Sequence, residues 1–100
     1  MNIQKLMKQA QAMQAGMAQA QEQLATRYFT AEAAGGKIKA TANGTGDLTD
    51  LTIDPSVIDP EDAEFLQSLV LKAAQDAIAG AKAMAEKEMK KLTGGMGMPF

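Results

Sequence analysis

One hundred residues suffice for one domain, and a chain of this size buries only about two-thirds of its unfolded surface, so its core is modest and oligomerisation is a natural supplement. The absence of cysteine excludes disulfides and thiolate metal sites, and the absence of histidine removes the usual activator of a serine nucleophile. The net charge of −2 is too small to name a polyanionic partner, but it is unevenly spread: residues 1–46 carry five cations against two carboxylates, residues 47–76 one against eight, and residues 77–100 four against two.

Residues 3–24 read as a helix. Ile3, Leu6, Ala10, Met13, Met17, Ala20 and Leu24 recur at alternating spacings of three and four, the narrow seam of a coiled coil, and glutamine fills most of the remaining surface. Such a seam suits one partner helix rather than a broad core. The period then shortens. Thr26–Ala33 reads as a strand, Gly35-Gly36 as a tight hairpin turn, and Lys37–Ala42 as a second strand with Ile38, Ala40 and Ala42 on one face. Asn43-Gly44-Thr45-Gly46 is a second turn, and Thr49–Asp54 a third strand with Leu51 and Ile53 facing inward, which completes an antiparallel meander closed by Pro55.

Asp59-Pro60-Glu61-Asp62 predicts a helix start, with Asp59 as cap, Pro60 in the first helical position and acids at the positive end of the dipole. The helix is expected to run to about Leu92, with Leu66, Leu69, Val70, Ala73, Ala77, Ile78, Ala81 and Met84 on its apolar face, and Gly94-Gly95 ends it. The domain then spans residues 1–93, and the Gly/Met-rich residues 94–100 read as a flexible tail. The fold class is α+β, in the order α-β-β-β-α, with a three-stranded meander between two long helices.

A helix of some thirty residues is about 45–50 Å long, whereas strands of six or seven residues span about 20 Å. The sheet therefore cannot cover either helix along its whole length. Met13, Met17, Ala81 and Met84 are left in need of a partner, and a second copy of the chain across a twofold axis supplies one.

The residue inventory argues against catalysis. Ser56 and Ser68 have no imidazole to activate them, and Asp47, Asp50 and Asp54 lack the spacing and central glycine of a calcium loop. The glycine-rich turns join strand to strand, whereas phosphate loops open helices. The expectation is a non-enzyme with no metal and no cofactor. No stretch approaches membrane-spanning length and no apolar signal core opens the chain, so a reducing cytoplasm fits.

The basic residues suggest a ligand. Lys5 and Lys8 share one face of the first helix, and Lys87, Lys90 and Lys91 cluster near the end of the last, with Lys82 about two turns earlier. Taken alone, these are an ordinary solvated surface. A dimer doubles each cluster at protruding helix ends, where the copies straddle a duplex and contact phosphates, with Arg27, Lys37 and Lys39 as secondary contacts. Lysine acts there as a mobile point charge, so binding to double-stranded DNA is expected to be backbone-driven, salt-sensitive and weakly selective. The competing expectation is a dimeric scaffold that holds a protein partner through the acidic middle and the Met96/Met98 tail.

The stretch Leu6-Met7-Lys8-Gln9-Ala10-Gln11-Ala12-Met13-Gln14 resembles the opening helix of the YbaB/EbfC family of bacterial nucleoid-associated proteins. The resemblance continues through Asn43-Gly44, Ile53-Asp54-Pro55-Ser56, Ala73-Ala74-Gln75-Asp76-Ala77 and Met98-Pro99-Phe100, and so covers the chain in order. It implies a homodimer of α-β-β-β-α subunits shaped like tweezers, with DNA held by projecting helices. Family members often carry lysine and glutamate midway along the first helix. This chain has Ala15-Gly16 and Ala18-Gln19 there, so its first helix is less charged.

Overall fold

Helix α1, Ile3–Ala25, begins where the Asn2 Oδ1 accepts hydrogen bonds from the Gln4 and Lys5 N–H groups at 3.1 and 3.3 Å. The computed structural model describes residues 2–94, and the Met96/Met98 tail lies outside them. At the other end of α1 the Thr26 N–H and hydroxyl both donate to the Gln23 carbonyl, and the Arg27 N–H donates to that of Leu24. Thr26 and Arg27 thus close the helix instead of opening the first strand, which starts two residues later than the sequence pattern suggests.

Three strands follow, β1 (Tyr28–Ala33), β2 (Ile38–Asn43) and β3 (Leu48–Ile53), paired antiparallel in the order β1-β2-β3. The first turn is wider than a two-residue hairpin. Ala34, Gly35 and Gly36 all take positive φ, at 54°, 67° and 91°, so an alanine joins the two glycines in the left-handed region. In the second turn the Asn43 Oδ1 accepts from the Thr45 N–H, the Thr45 hydroxyl and the Asp47 N–H, at 3.1, 2.6 and 3.0 Å.

Helix α2, Ala63–Gly94, starts three residues after the expected Pro60. The Asp59 Oδ1 accepts from the Glu61 N–H and closes a separate turn, while the Asp62 Oδ1 accepts from the Phe65 N–H and caps the helix proper.

Cross-strand partners set the inner face: Phe29 opposite Ala42, Ala31 opposite Ala40, Ala33 opposite Ile38, Ile38 opposite Ile53, and Ala40 opposite Leu51. Against it lie Ala73, Ala77 and Ala81 of α2, and the resulting buried cluster consists of seven alanines and Ile38. Side chains this small bring helix and sheet close together but bury little apolar area each, so the core is thin. Gly80 continues the pattern, because the Phe29 ring occupies the place that a Cβ at residue 80 would take.

The helix lies over β1 and β2 and barely reaches β3. Leu51, expected to be covered, therefore points to the inner face yet remains 47% exposed, while Ile53 is half-buried. The sheet's outer face is polar, with Thr30 and Thr41 sharing a hydroxyl hydrogen bond of 2.8 Å.

One joint ties α1 to this body. The Gly44 N–H donates to the carbonyls of Leu24 and Arg27, both at 2.9 Å. The backbones approach so closely there that a Cβ at residue 44 would lie 2.6 Å from the Leu24 carbonyl oxygen. Beyond the joint α1 leaves the body, with Leu24 buried and Ile3, Leu6, Met13 and Met17 exposed. The molecule is 71 Å long. That exceeds the about 48 Å of a 32-residue helix, and α1 carries the remainder.

Candidate nucleic-acid interface

The long axis separates the charges. Lys5 and Lys8 stand exposed on α1, and Lys87, Lys90 and Lys91 occupy neighbouring exposed positions on the last turns of α2. Arg27 lies at the root of α1, its Nη1 3.6 Å from Glu88 Oε1. Lys82 departs from the other lysines of α2: its Cε lies beside Gly46, on the flank that faces the β2–β3 turn.

Lys37 and Lys39 are elsewhere. They lie toward the opposite end of the six-residue strands, among carboxylates. Lys39 Nζ is 3.9 Å from Glu32 Oε1 across the strand pair, and the Lys37 carbonyl accepts from the Asp54 N–H at 2.8 Å. The Asp54 carboxyl is held below its usual value by the Ser56 N–H, then by the Ser56 hydroxyl, with a smaller contribution from the Lys37 charge. Asp59, Glu61, Asp62 and Glu64 are exposed around the start of α2 on that same end. Much of the acidic middle has local work. Asp54, Asp59 and Asp62 each accept a backbone N–H, and Asp47 accepts the Thr45 hydroxyl.

The four residues expected at a dimer interface divide in the same way. Met13 and Met17 are exposed on α1, and Met84 is half-buried on α2. Ala81 is fully buried beneath its own sheet, where a second chain cannot reach it without opening that core. Sequence periodicity missed a more open surface. Leu48 and Leu51 of β3 are exposed beside the flank of α2 that carries Leu71, three turns before Lys82 on the same stripe. Its only signal is topological: β3 is an edge strand, and one helix cannot roof three strands. The Arg27–Glu88 pair was equally hidden, since the two residues lie far apart in the sequence.

Among the described residues no group of three or more His, Cys, Asp or Glu side chains is placed to hold a metal ion, and no helix is long and apolar enough to cross a membrane.

The model of the YbaB/EbfC DNA-binding family matches residues 1–96. The chain belongs to that family. It is 60% identical over 99 residues to a nucleoid-associated protein of Akkermansia muciniphila, covering 99% of this chain and 95% of that one. A nucleoid-associated protein of Clostridium novyi is 46% identical, covering 99% of this chain and 87% of the relative. The crystal structure of an uncharacterized Helicobacter pylori protein superposes with a TM-score of 0.75 at 28% identity, covering 96% of this chain and 97% of that one.

Three of the four YbaB/EbfC-like segments within the described residues have structural roles here. Asn43 and Gly44 build the turn that pins α1, Asp54 caps the Pro55–Val57 turn at the sheet's exit, and Ala73 and Ala77 line the core.

Proposed function

We propose that the chain is a nucleoid-associated protein that binds duplex DNA as a homodimer, through backbone phosphates and with little sequence selectivity. The observation that carries this reading is the segregation of charge along the molecule. Lys5, Lys8, Lys87, Lys90 and Lys91 belong to α1 and the last turns of α2, while Asp47, Asp54, Asp59 and Asp62 bond within turns and caps around the sheet. A basic end on projecting helices attracts a polyanion, and an acidic body keeps the same polyanion off the rest of the surface. One arginine and five surface lysines offer charge without a bidentate array for base edges, which favours phosphate contact over sequence readout. Lys37 and Lys39, among carboxylates, stand outside this surface, and Lys82 lies at its margin.

Unfinished packing supports the dimer. Most helical stability in proteins comes from packing an apolar face, and α1, with a glycine at position 16, has no roof of its own. The exposed Met13 and Met17 on α1, and Leu48, Leu51 and Leu71 on the body, are the surfaces that a second copy would cover. Residence in the cytoplasm, at the nucleoid, goes with this reading.

The test is fluorescence anisotropy of a labelled random-sequence duplex titrated at several salt concentrations. Micromolar or tighter binding is expected, falling by about 0.9 log units per log unit of salt for each phosphate neutralised. No binding at low salt would contradict the reading and favour the protein-scaffold alternative.

A further inference from the structure

Where the last turn of α1 passes the last turns of α2, the two helices leave an open notch of about 270 Å³, lined by Gln23, Leu24, Arg27, Glu88 and Lys91 among others. Two cations and one carboxylate share this small space. The cation that matters most is Arg27, the only arginine of the chain, because its planar fork of donors matches the geometry of a phosphate as a lysine cannot.

We propose that this notch is a phosphodiester site, in which Arg27 and Lys91 take one backbone phosphate of duplex DNA, and that Glu88 holds the guanidinium in the free protein and must release it. The inference rests on the DNA-binding reading above and adds to it a specific site and an internal competitor. Three observations carry it. The Arg27–Glu88 separation of 3.6 Å is longer than a well-formed charge-assisted hydrogen bond, and the arginine side chain is 56% exposed. Such a pair is weak and exchanges readily for a better anion. The notch also lies at the root of α1 beside the Lys87/Lys90/Lys91 turns, so a phosphate bound there extends that basic cluster onto Arg27. Finally, the floor is rigid: Leu24 is buried, and the backbone that carries it and Arg27 is fastened to Gly44. A donor held on a fixed support loses less freedom when it binds.

The experiment compares Glu88→Gln with Glu86→Gln, which makes the same change in net charge two residues away and outside the notch, using the full chain and a labelled random-sequence duplex. Glu88→Gln should tighten binding by about threefold to fivefold and steepen the salt dependence, with Glu86→Gln changing affinity less than about 1.5-fold. Arg27→Gln should weaken binding and lower the salt slope by about 0.9. In the Arg27→Gln background the gain from Glu88→Gln should shrink to that of Glu86→Gln, which is the signature of a coupled pair. Circular dichroism checks that each variant keeps its helices.

Equal effects of the two glutamate substitutions, or a full gain from Glu88→Gln without Arg27, overturn the notch while leaving duplex binding intact. A wild-type chain that ignores duplex at low salt overturns the functional reading and this site with it. Inorganic phosphate should compete no better than sulfate at matched ionic strength. A strong phosphate-specific loss would assign the notch to a free anion instead.

Discussion

The two ends of this molecule solve opposite problems. At one end the sheet and the middle of α2 pack through alanines, with turns held by Asn43, Asp54, Asp59 and Asp62 side chains. At the other, α1 and the end of α2 run on without a layer above them, rich in lysine, glutamine and exposed methionine. The body folds by satisfying its own groups, while the arm leaves its apolar seam exposed and carries an excess of positive charge. A surface of that kind, held to a rigid body by the Gly44 joint, is suited to meeting other molecules.

Breaking the joint should have the largest effect. Gly44→Val places a side chain against the Leu24 backbone, which cannot move without releasing α1. A loss of about 2–3 kcal/mol is expected in denaturant unfolding, the scale of overpacking at a rigid contact, together with weakened DNA binding. Unchanged stability would show that α1 is not anchored there.

A smaller effect tests the exposed flank of the body. Leu51→Glu puts a charge on a surface proposed to be covered by a second copy, so sedimentation equilibrium should shift from twice the chain mass toward the single chain. Circular dichroism should change little, because Leu51 contributes little to its own subunit's core. A variant that stays fully dimeric would move the interface elsewhere, with the α1 seam first in line.

The smallest effect concerns the acidic end. Asp54 is held below its ordinary 3.8 chiefly by the Ser56 N–H, so its folded form binds protons less readily than the unfolded chain. The stabilisation is complete above about pH 5 and is lost as pH falls through the lowered value. Melting temperatures followed through the acid range should fall less steeply for Asp54→Asn than for the wild-type chain. The exposure of the group keeps this difference small, and identical profiles would remove the carboxylate from any role in acid stability.

How much of this was legible in the sequence depends on which interaction decides each feature. Ile38, Ala40 and Ala42 alternate, and all three are fully buried, because a strand's period of two is written locally. Ala73, Ala77 and Ala81 likewise announce one helical face. Helix starts were harder. Asp59-Pro60 carries a strong start signal, yet a second capping carboxylate three residues on, Asp62, takes the helix, and nothing local ranks the two. Leu51 alternates onto the inner face, but whether an inward face is covered depends on where a distant helix lies. Length alone sets Ala81 against a partner, because it cannot say which stretch of α2 the sheet reaches. The basic residues were all visible as residues. Their sorting, with Arg27 beside Glu88 at one end and Lys37 and Lys39 among carboxylates at the other, exists only in the folded chain.

The most direct measurement compares those two groups of cations by salt-dependent anisotropy on one random-sequence duplex. Lys87→Gln/Lys90→Gln/Lys91→Gln should weaken binding at least about tenfold near 0.1 M salt and reduce the slope by about 0.9 for each lysine that touches a phosphate. Lys37→Gln/Lys39→Gln should change affinity less than about twofold, since those charges are already balanced by neighbouring carboxylates. Equal losses from the two variants, or a loss confined to the Lys37/Lys39 pair, would contradict the proposed division of the molecule into a DNA-binding arm and an acidic body.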